Sequence, residues 1–374
     1  MRIGLNLLHA MPETGGSWNY VARLVQSLGE HDRENSYIAF VTDKSIGIVP
    51  RQPNFETVRV GINPVSRPQR ILYENTLLQI IAWKHHLDLM HWFANTIALA
   101  NGVPGVVTVY DLMVFENPGN FSLTQRFYLR AMFPYTARRA TLLLPMSQST
   151  AQDLTRVLKV HAERLVVIPA IVGITFQPVE ADKVTSFRRK HGLANYFWLY
   201  VAHFYPHKNH LRLLQGYSEL KLKGSAPWPL VLRGDDHGAA DAVKRLVIQL
   251  GLESDVIFLP YLDEGELPVL FSAATALVFP SLYEGGGIPV LEAMACGCPV
   301  IASDIAPIRE LGEDAVERFD PLNVLSIISA MAEFQSDPEK RLACQRRGLE
   351  RVQPHRADQV VKKMISAYQL AGRP

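Results

Sequence analysis

The sequence is poor in cysteine, in net charge and in long apolar runs. Its three cysteines, Cys296, Cys298 and Cys344, are too few and odd in number for a disulfide framework, which suits a reducing compartment. Lysine and arginine total 38 against 36 aspartates and glutamates, a formal net charge of +2. A chain so balanced is not built as a whole to bind a polyanion, and no nucleic-acid partner is expected, although local basic patches stay open. No stretch reaches the ~18–20 apolar residues that a membrane helix needs. The run at 77–83 is cut off by Lys84-His85-His86. Residues 1–8 lose their apolar character at His9, and no small-residue cleavage site follows. They are expected to form a buried strand rather than a leader. There is also no Asp-x-Asp pair, no low-complexity tract and no short repeat.

What is present is an α/β pattern. A chain of 374 residues suits two domains of ordinary size, and 48% hydrophobic with 20% charged residues suits a globular enzyme. Short apolar runs alternate with longer amphipathic stretches, the mark of βαβ units and parallel sheets. The first half predicts strands at 3–7, 37–41, 57–60, 89–92, 105–110 and 141–145, with helices at 17–28, 70–84, 124–138 and 149–158. The pattern then restarts, with strands at 197–203, 230–233, 256–259, 276–280 and 300–302. Helices are predicted at 211–221, 240–250, 264–273, 289–295 and 324–334. This implies two doubly wound, Rossmann-like domains facing across a cleft, with ligands at the C-terminal strand ends. Pro169, Gly173 and Pro178 break the periodicity, so the domains are expected at 1–172 and 173–355, with the last helix, in 356–374, packing back on the first.

The segment that carries chemistry is Pro280-Ser281-Leu282-Tyr283-Glu284-Gly285-Gly286-Gly287-Ile288-Pro289-Val290-Leu291-Glu292-Ala293-Met294-Ala295. It leaves a strand through three glycines and enters a helix whose first turn accepts Pro289. Glycines let backbone amides approach a ligand, and a helix N-terminus offers amides to a phosphate. Glu292 is expected in the helix's first turn, where it could accept hydrogen bonds from a ribose diol. Glu284 would face what lies beyond the phosphates. A glycine-rich turn with two solvated glutamates is the plainer reading of the same residues.

This segment resembles the signature of the retaining family-4 (group 1) glycosyltransferases, two glutamates separated by seven residues in a Pro-Ser-x-x-Glu-Gly-Phe-Gly-x-Pro-x-x-Glu-Ala-Met-Ala context. Gly286 departs from it, since the family has a bulky residue there. The resemblance implies the GT-B fold, with Glu284 on the donor sugar, Glu292 on the ribose, and Gly286, Gly287, Ile288 and Leu291 among the donor-binding positions. It extends to Gly15-Gly16 after the first strand, near the donor phosphate and on the acceptor side. Gly234 stands in a nucleotide-contacting loop and Tyr261 where the base packs. Ser147 opens a helix as an N-cap, which capping alone explains, and Asp320-Pro321-Leu322 matches a common family turn. The family's Gly-Arg followed by Lys clamps the diphosphate. Here Lys208 matches the Lys, His203 replaces the Arg and Ala202 the Gly, so His203 is expected to supply a weaker, pH-dependent cation. Where many members have His-Asp, this chain has Tyr110-Asp111.

Other readings of these residues are blander. His203, His207 and His210 invite a metal, but Pro206 interrupts their register and no carboxylate or cysteine completes a set. Cys296 and Cys298 pack as small apolar residues. Residues 125–139 mix arginines with aromatics and suit either an anionic membrane, a lipid-diphosphate acceptor or an ordinary exposed face.

The expectation is a metal-independent, retaining glycosyltransferase without a resident cofactor. It would move a hexose from GDP-mannose, or second a UDP-hexose, to a glycan or lipid-linked acceptor in polysaccharide biosynthesis. Catalytic candidates are Glu284, Lys208, His203, Tyr110 and Asp111. The place would be the cytoplasm, with peripheral contact at the inner membrane face left open. A non-catalytic subunit that binds sugar nucleotide and a GT-B nucleotide-sugar epimerase are the alternatives.

Overall fold

The computed structural model describes residues 1–100, 102–223, 227–260 and 262–372. The chain divides into a first unit, Met1–Ile171 with His355–Pro374, and a second unit, Val172–Pro354. Among the described residues each unit holds one six-stranded parallel sheet.

The first sheet contains β1 (Arg2–Asn6), β2 (Ser36–Val41), β3 (Phe55–Arg59), β4 (Leu89–Trp92), β5 (Gly105–Val109) and β6 (Leu142–Pro145), in the order β3-β2-β1-β4-β5-β6. The second contains β7 (Trp198–Val201), β8 (Leu230–Arg233), β9 (Val256–Leu259), β10 (Ala276–Phe279), β11 (Val300–Ser303) and β12 (Val316–Phe319), in the order β9-β8-β7-β10-β11-β12. The central strands are buried on both faces, so they read as continuous apolar runs such as Trp-Leu-Tyr-Val in β7 and Ala-Leu-Val-Phe in β10. In both sheets the order reverses beside the first strand, between β1 and β4 and between β7 and β10. Ligands of doubly wound sheets bind at such points, outside the carboxyl ends of the strands. Two such Rossmann-like units are the components of the GT-B fold.

Several elements depart from the sequence reading. The helix expected at 70–84 is two helices, Arg67–Glu74 and Leu77–Lys84. Asn75 ends the first by donating its side-chain amide to the Ile71 carbonyl at 2.7 Å, a local bond that competes with helix continuation. Strand β12 and helices Ala181–His191, Ala306–Gly312 and Pro338–Arg351 were not anticipated. The C-terminal helix Ala357–Ala371 belongs to the first unit. Its Tyr368 hydroxyl meets His91 Nδ1 at 2.8 Å, while His91 Nε2 meets the Thr108 hydroxyl at the same distance. No helix among the described residues is long and apolar enough to cross a membrane.

Candidate active site

In the second unit, two loops meet at the switch point. One follows β7 and carries His203 to Asn209; the other follows β10 and carries Ser281 to Gly287. Leu282 N donates to the His207 carbonyl at 2.8 Å, which ties the loops by their backbones. Asn209 adds a second tie. Its backbone is left-handed (φ 62°), and its side-chain amide donates to the Pro280 and Pro321 carbonyls at 3.0 and 2.9 Å. The buried Tyr200 hydroxyl donates to the Lys208 carbonyl at 2.6 Å. Sequence reasoning missed Asn209 and Tyr200 as organisers. The available signal was Asn next to Lys208, since Asn tolerates left-handed backbone.

Lys208 and Glu284 come together in this frame. Lys208 Nζ bonds Glu284 Oε1 at 2.5 Å, with side chains only 16% and 9% exposed. The ammonium also lies 5.7 Å from the centre of the Phe279 ring, within cation–π range. Helix Ile288–Ala295 starts after Gly287, whose φ is +60°. A Cβ on Gly287 would come within 2.9 Å of Ile308 Cδ1 and 3.1 Å of Leu311 Cδ2, so both backbone and space ask for glycine. The Val290 and Leu291 amides bond the Gly287 carbonyl, and proline has no N–H. The amides left to an anion are therefore those of Gly286, Gly287 and Ile288.

Four expectations need correction. Glu292 is the fifth residue of its helix, not in its first turn, because the helix begins at Ile288; it is also buried, at 4% exposed. Leu291 is wholly buried, with its amide bonded to the Gly287 carbonyl, so neither its side chain nor its amide is presented to solvent. His203 is a poorer cation than expected: its Nδ1 accepts the Asp235 amide at 3.1 Å, and burial, then the neighbouring His237, lowers its pKa. Tyr110, in the first unit, turns its hydroxyl inward, where it is buried without a hydrogen-bond partner among the described residues, and packs edge-on against Tyr20 at 5.9 Å.

The remaining candidates sit as follows. Gly234 follows β8, and a Cβ there would stand 1.9 Å from the Ala202 carbonyl oxygen, so only glycine lets β7 and β8 approach at this point. Tyr261 lies outside the described residues. Gly15 caps helix Gly16–His31 with φ 62° and ψ −122°, a region open to glycine. Asp111 accepts the Met113 amide at 2.9 Å. Ser147 caps helix Gln148–Leu158 through the Thr150 amide at 3.1 Å. Gly15, Gly16, Tyr110, Asp111 and Ser147 belong to the first unit, and His203, Lys208, Gly234, Glu284, Gly286, Gly287, Ile288, Leu291 and Glu292 to the second. The three histidines go separate ways: His203 beside His237, His207 stacked on Tyr205, and His210 buried against Tyr200 and Phe204. Cys296 and Cys298 are buried thiols not joined in a disulfide.

Two family descriptions match the chain, "Glycosyl transferases group 1" over residues 183–351 and "Glycosyltransferase Family 4" over 14–174. The chain is 29% identical over 266 residues to O-antigen chain mannosyltransferase B of Escherichia coli, covering 71% of this chain and 70% of that protein. It is 31% identical over 219 residues to the serotype-specific mannosyltransferase WbdA of Escherichia coli, covering 57% of this chain and about a quarter (26%) of that longer protein. Among solved structures, sucrose-phosphate synthase from Thermosynechococcus elongatus superposes with a TM-score of 0.80 at 21% identity, over 99% of this chain and 98% of the other.

Proposed function

The chain belongs to the family-4, group 1 glycosyltransferases, and from that premise we propose that it transfers a hexose, with mannose favoured, from a nucleotide sugar to a glycan or lipid-linked acceptor in polysaccharide assembly. GDP-mannose is the first donor to test and a UDP-hexose the second; the mannosyltransferase relatives support that order. The observation that carries the reading is the Lys208–Glu284 pair beside the glycine-opened helix Ile288–Ala295.

The chemistry follows from charge. As the sugar gains oxocarbenium character, negative charge grows on the departing diphosphate. Lys208 and the amides of Gly286–Ile288 are aimed where that charge develops. Glu284, released from Lys208 when the phosphate takes the ammonium, accepts hydrogen bonds from sugar hydroxyls. Attack from the leaving-group face, with the phosphate taking the acceptor proton, retains the anomeric configuration and asks for no metal.

Incubation with GDP-mannose and a mannoside acceptor, followed by NMR of the product's anomeric proton, tests the assignment. Retained configuration with full rate in EDTA is expected; inversion, or a rate abolished by EDTA and restored by Mn²⁺, overturns it. A thermal-shift screen of GDP- and UDP-sugars identifies the donor, since a ligand at 100 times its Kd stabilises by about 2.7 kcal/mol. Binding without transfer or hydrolysis would favour a non-catalytic subunit, and a changed sugar without acceptor would favour an epimerase.

The place of action is proposed to be the cytoplasmic membrane face. Leu77, Ile80 and Trp83 project from one side of helix Leu77–Lys84, with Trp83 72% exposed. Leu123 and Phe127 (74% exposed) lie on one stripe of helix Leu123–Arg139, continued by Arg130 and Arg138. Exposed aromatics beside arginines suit an anionic lipid surface. Co-sedimentation with anionic but not zwitterionic vesicles, weakened in Trp83→Ala/Phe127→Ala, is the expected result.

A further inference from the structure

Among the described residues, the non-glycine positions with positive φ are His86, Asn95, Lys159, Asn209 and Glu313. Lys159 and Glu313 end helices Gln148–Leu158 and Ala306–Gly312, and His86 comes two residues past helix Leu77–Lys84. Helix ends take this conformation routinely. The two asparagines stand instead on loops that leave strands, Asn209 after β7 and Asn95 after β4. Asn209 reaches the Pro280 and Pro321 carbonyls and so frames Lys208 and Glu284.

Asn95, with φ 63°, makes the matching tie in the first unit. Its Oδ1 accepts the Tyr110 amide at 2.8 Å, across fifteen residues of chain. Strands β4 and β5 pair only as far as Trp92 and Val107. Asn95 and Tyr110 each stand three residues past that pair, so a side chain continues where the ladder stops. One layer down, the buried His91 ring meets the Thr108 hydroxyl at 2.8 Å between the same two strands. Other groups hold Tyr110 weakly. Its hydroxyl has no hydrogen-bond partner among the described residues, and the Thr150 hydroxyl reaches its carbonyl only at 3.5 Å.

The residue that follows is Asp111, a half-buried carboxylate at the carboxyl end of β5. Ligands of doubly wound sheets bind at that end of the strands. A misplacement of ~1 Å at a reacting centre can cost about a hundredfold in rate. The tie needs a residue that accepts left-handed backbone and also carries an acceptor. Glycine has the first property and glutamine the second; asparagine has both. An unusual backbone conformation kept together with a distant bond points to function.

We infer that Asn95 is a positioning residue for sugar transfer: by holding the Tyr110 amide it sets where the Asp111 carboxylate stands. This rests on the glycosyltransferase reading, since Asp111 has a reaction to serve only if transfer occurs.

Substitutions in the full chain separate the bond from the backbone. Asn95→Gly keeps the conformation and removes the acceptor, Asn95→Asp keeps both, and Asn95→Ala keeps neither. With the nucleotide sugar that thermal shift identifies, Asn95→Gly should lower kcat about fivefold or more. Donor Kd should change less than about twofold, because Lys208 and Glu284 belong to the other unit. The glycine variant should melt within about 4 °C of the wild type. Asn95→Ala should lose the same rate and melt lower, while Asn95→Asp should recover at least half of the rate. Amide exchange over residues 110–113, read by mass spectrometry, should quicken in the glycine variant and not in the aspartate variant. In an Asp111→Asn background, Asn95→Gly should lower the rate less than about twofold further, because two residues on one route do not add.

A wild-type kcat in the folded glycine variant overturns the role, since a merely structural tie would move stability alone. A rate that Asn95→Asp fails to recover overturns it too, as does the full loss in the Asp111→Asn background. Unchanged exchange over residues 110–113 overturns the tie and leaves the glycosyltransferase reading intact. A wild type that consumes no nucleotide sugar overturns that reading, and the role in transfer with it, even where exchange shows the tie.

Discussion

The two units repeat one strand order, so the same crevice occurs twice, and its two fillings differ. At the β7/β10 switch point stand a glycine-opened helix end and a cation, Lys208, paired with the Glu284 carboxylate. At the β1/β4 switch point stand a guanidinium beside a carboxylate, a carboxamide and a neutral imidazole. The first set joins a cation to backbone amides; the second mixes donors and acceptors. The topology fixes where a ligand goes; a handful of residues after two strands decides which ligand it is.

The largest expected effect is shared by both units. His9 and His91 in the first and His207 and His210 in the second all have lowered pKa values, to about 3, 3, 4 and 3, with burial as the leading cause. Below pH 6.5 the unfolded chain takes up protons at these positions that the folded chain refuses. Stability therefore falls as pH falls from 6.5 towards 4 and is fully present above 6.5. Each histidine contributes up to about 1.4 kcal/mol per pH unit in that window. Urea denaturation at pH 7, 6 and 5 should lose several kcal/mol, and His9→Gln and His207→Gln should each flatten the slope by about one proton. A slope that changes in only one variant would break the symmetry.

Next in size is a contrast between glycines. Gly234→Ala drives a Cβ against the Ala202 carbonyl, a backbone atom that cannot swing aside, and should destabilise by ~3 kcal/mol or more. In the first sheet, a Cβ on Gly4 within β1 would meet Leu87 Cδ1 at 2.6 Å and Met90 Sδ at 2.8 Å, side-chain ends that can shift. Gly4→Ala should destabilise by about 1–2 kcal/mol. Urea midpoints in the reverse order would refute the distinction between backbone and side-chain obstruction.

Lys208→Ala and Glu284→Ala should each lower transfer at least tenfold, about 1.4 kcal/mol in barrier, with unchanged circular dichroism melts apart from the loss of one ion pair. Transfer near the wild-type rate in either variant would remove the reason for assigning the anion to the second crevice.

The two-sheet architecture was legible because fully buried parallel strands are written as short apolar runs. What escaped was polar: β12 is Val-Glu-Arg-Phe with Glu317 half-buried and Arg318 exposed, and helix Ala181–His191 buries only Val184 and Phe187. The glycine turn was visible as composition, and so was Lys208. The grip on them was not, because Asn209 reaches carbonyls 71 and 112 residues away and Gly234 answers to Ala202 on another strand. Residue type also misled at Glu292 and Leu291, where the starting residue of one helix decided depth and direction.

The smallest effect concerns His203, the place where charge was expected. The ring has accepted the Asp235 amide through Nδ1, so its proton sits on Nε2 and the residue offers a neutral donor. Asp235 Oδ2 at 3.5 Å from the same nitrogen would favour the charged form, but burial and His237 outweigh it. Glutamine can repeat both functions, accepting with its carbonyl and donating with its amide. His203→Gln should therefore change transfer less than threefold, about 0.6 kcal/mol, and the ratio of variant to wild-type rates should be flat from pH 6 to 8. If His203 were instead a phosphate-holding cation, the wild type would pull ahead of the variant as pH dropped below 7. Such a divergence would return the lost positive charge to the second crevice.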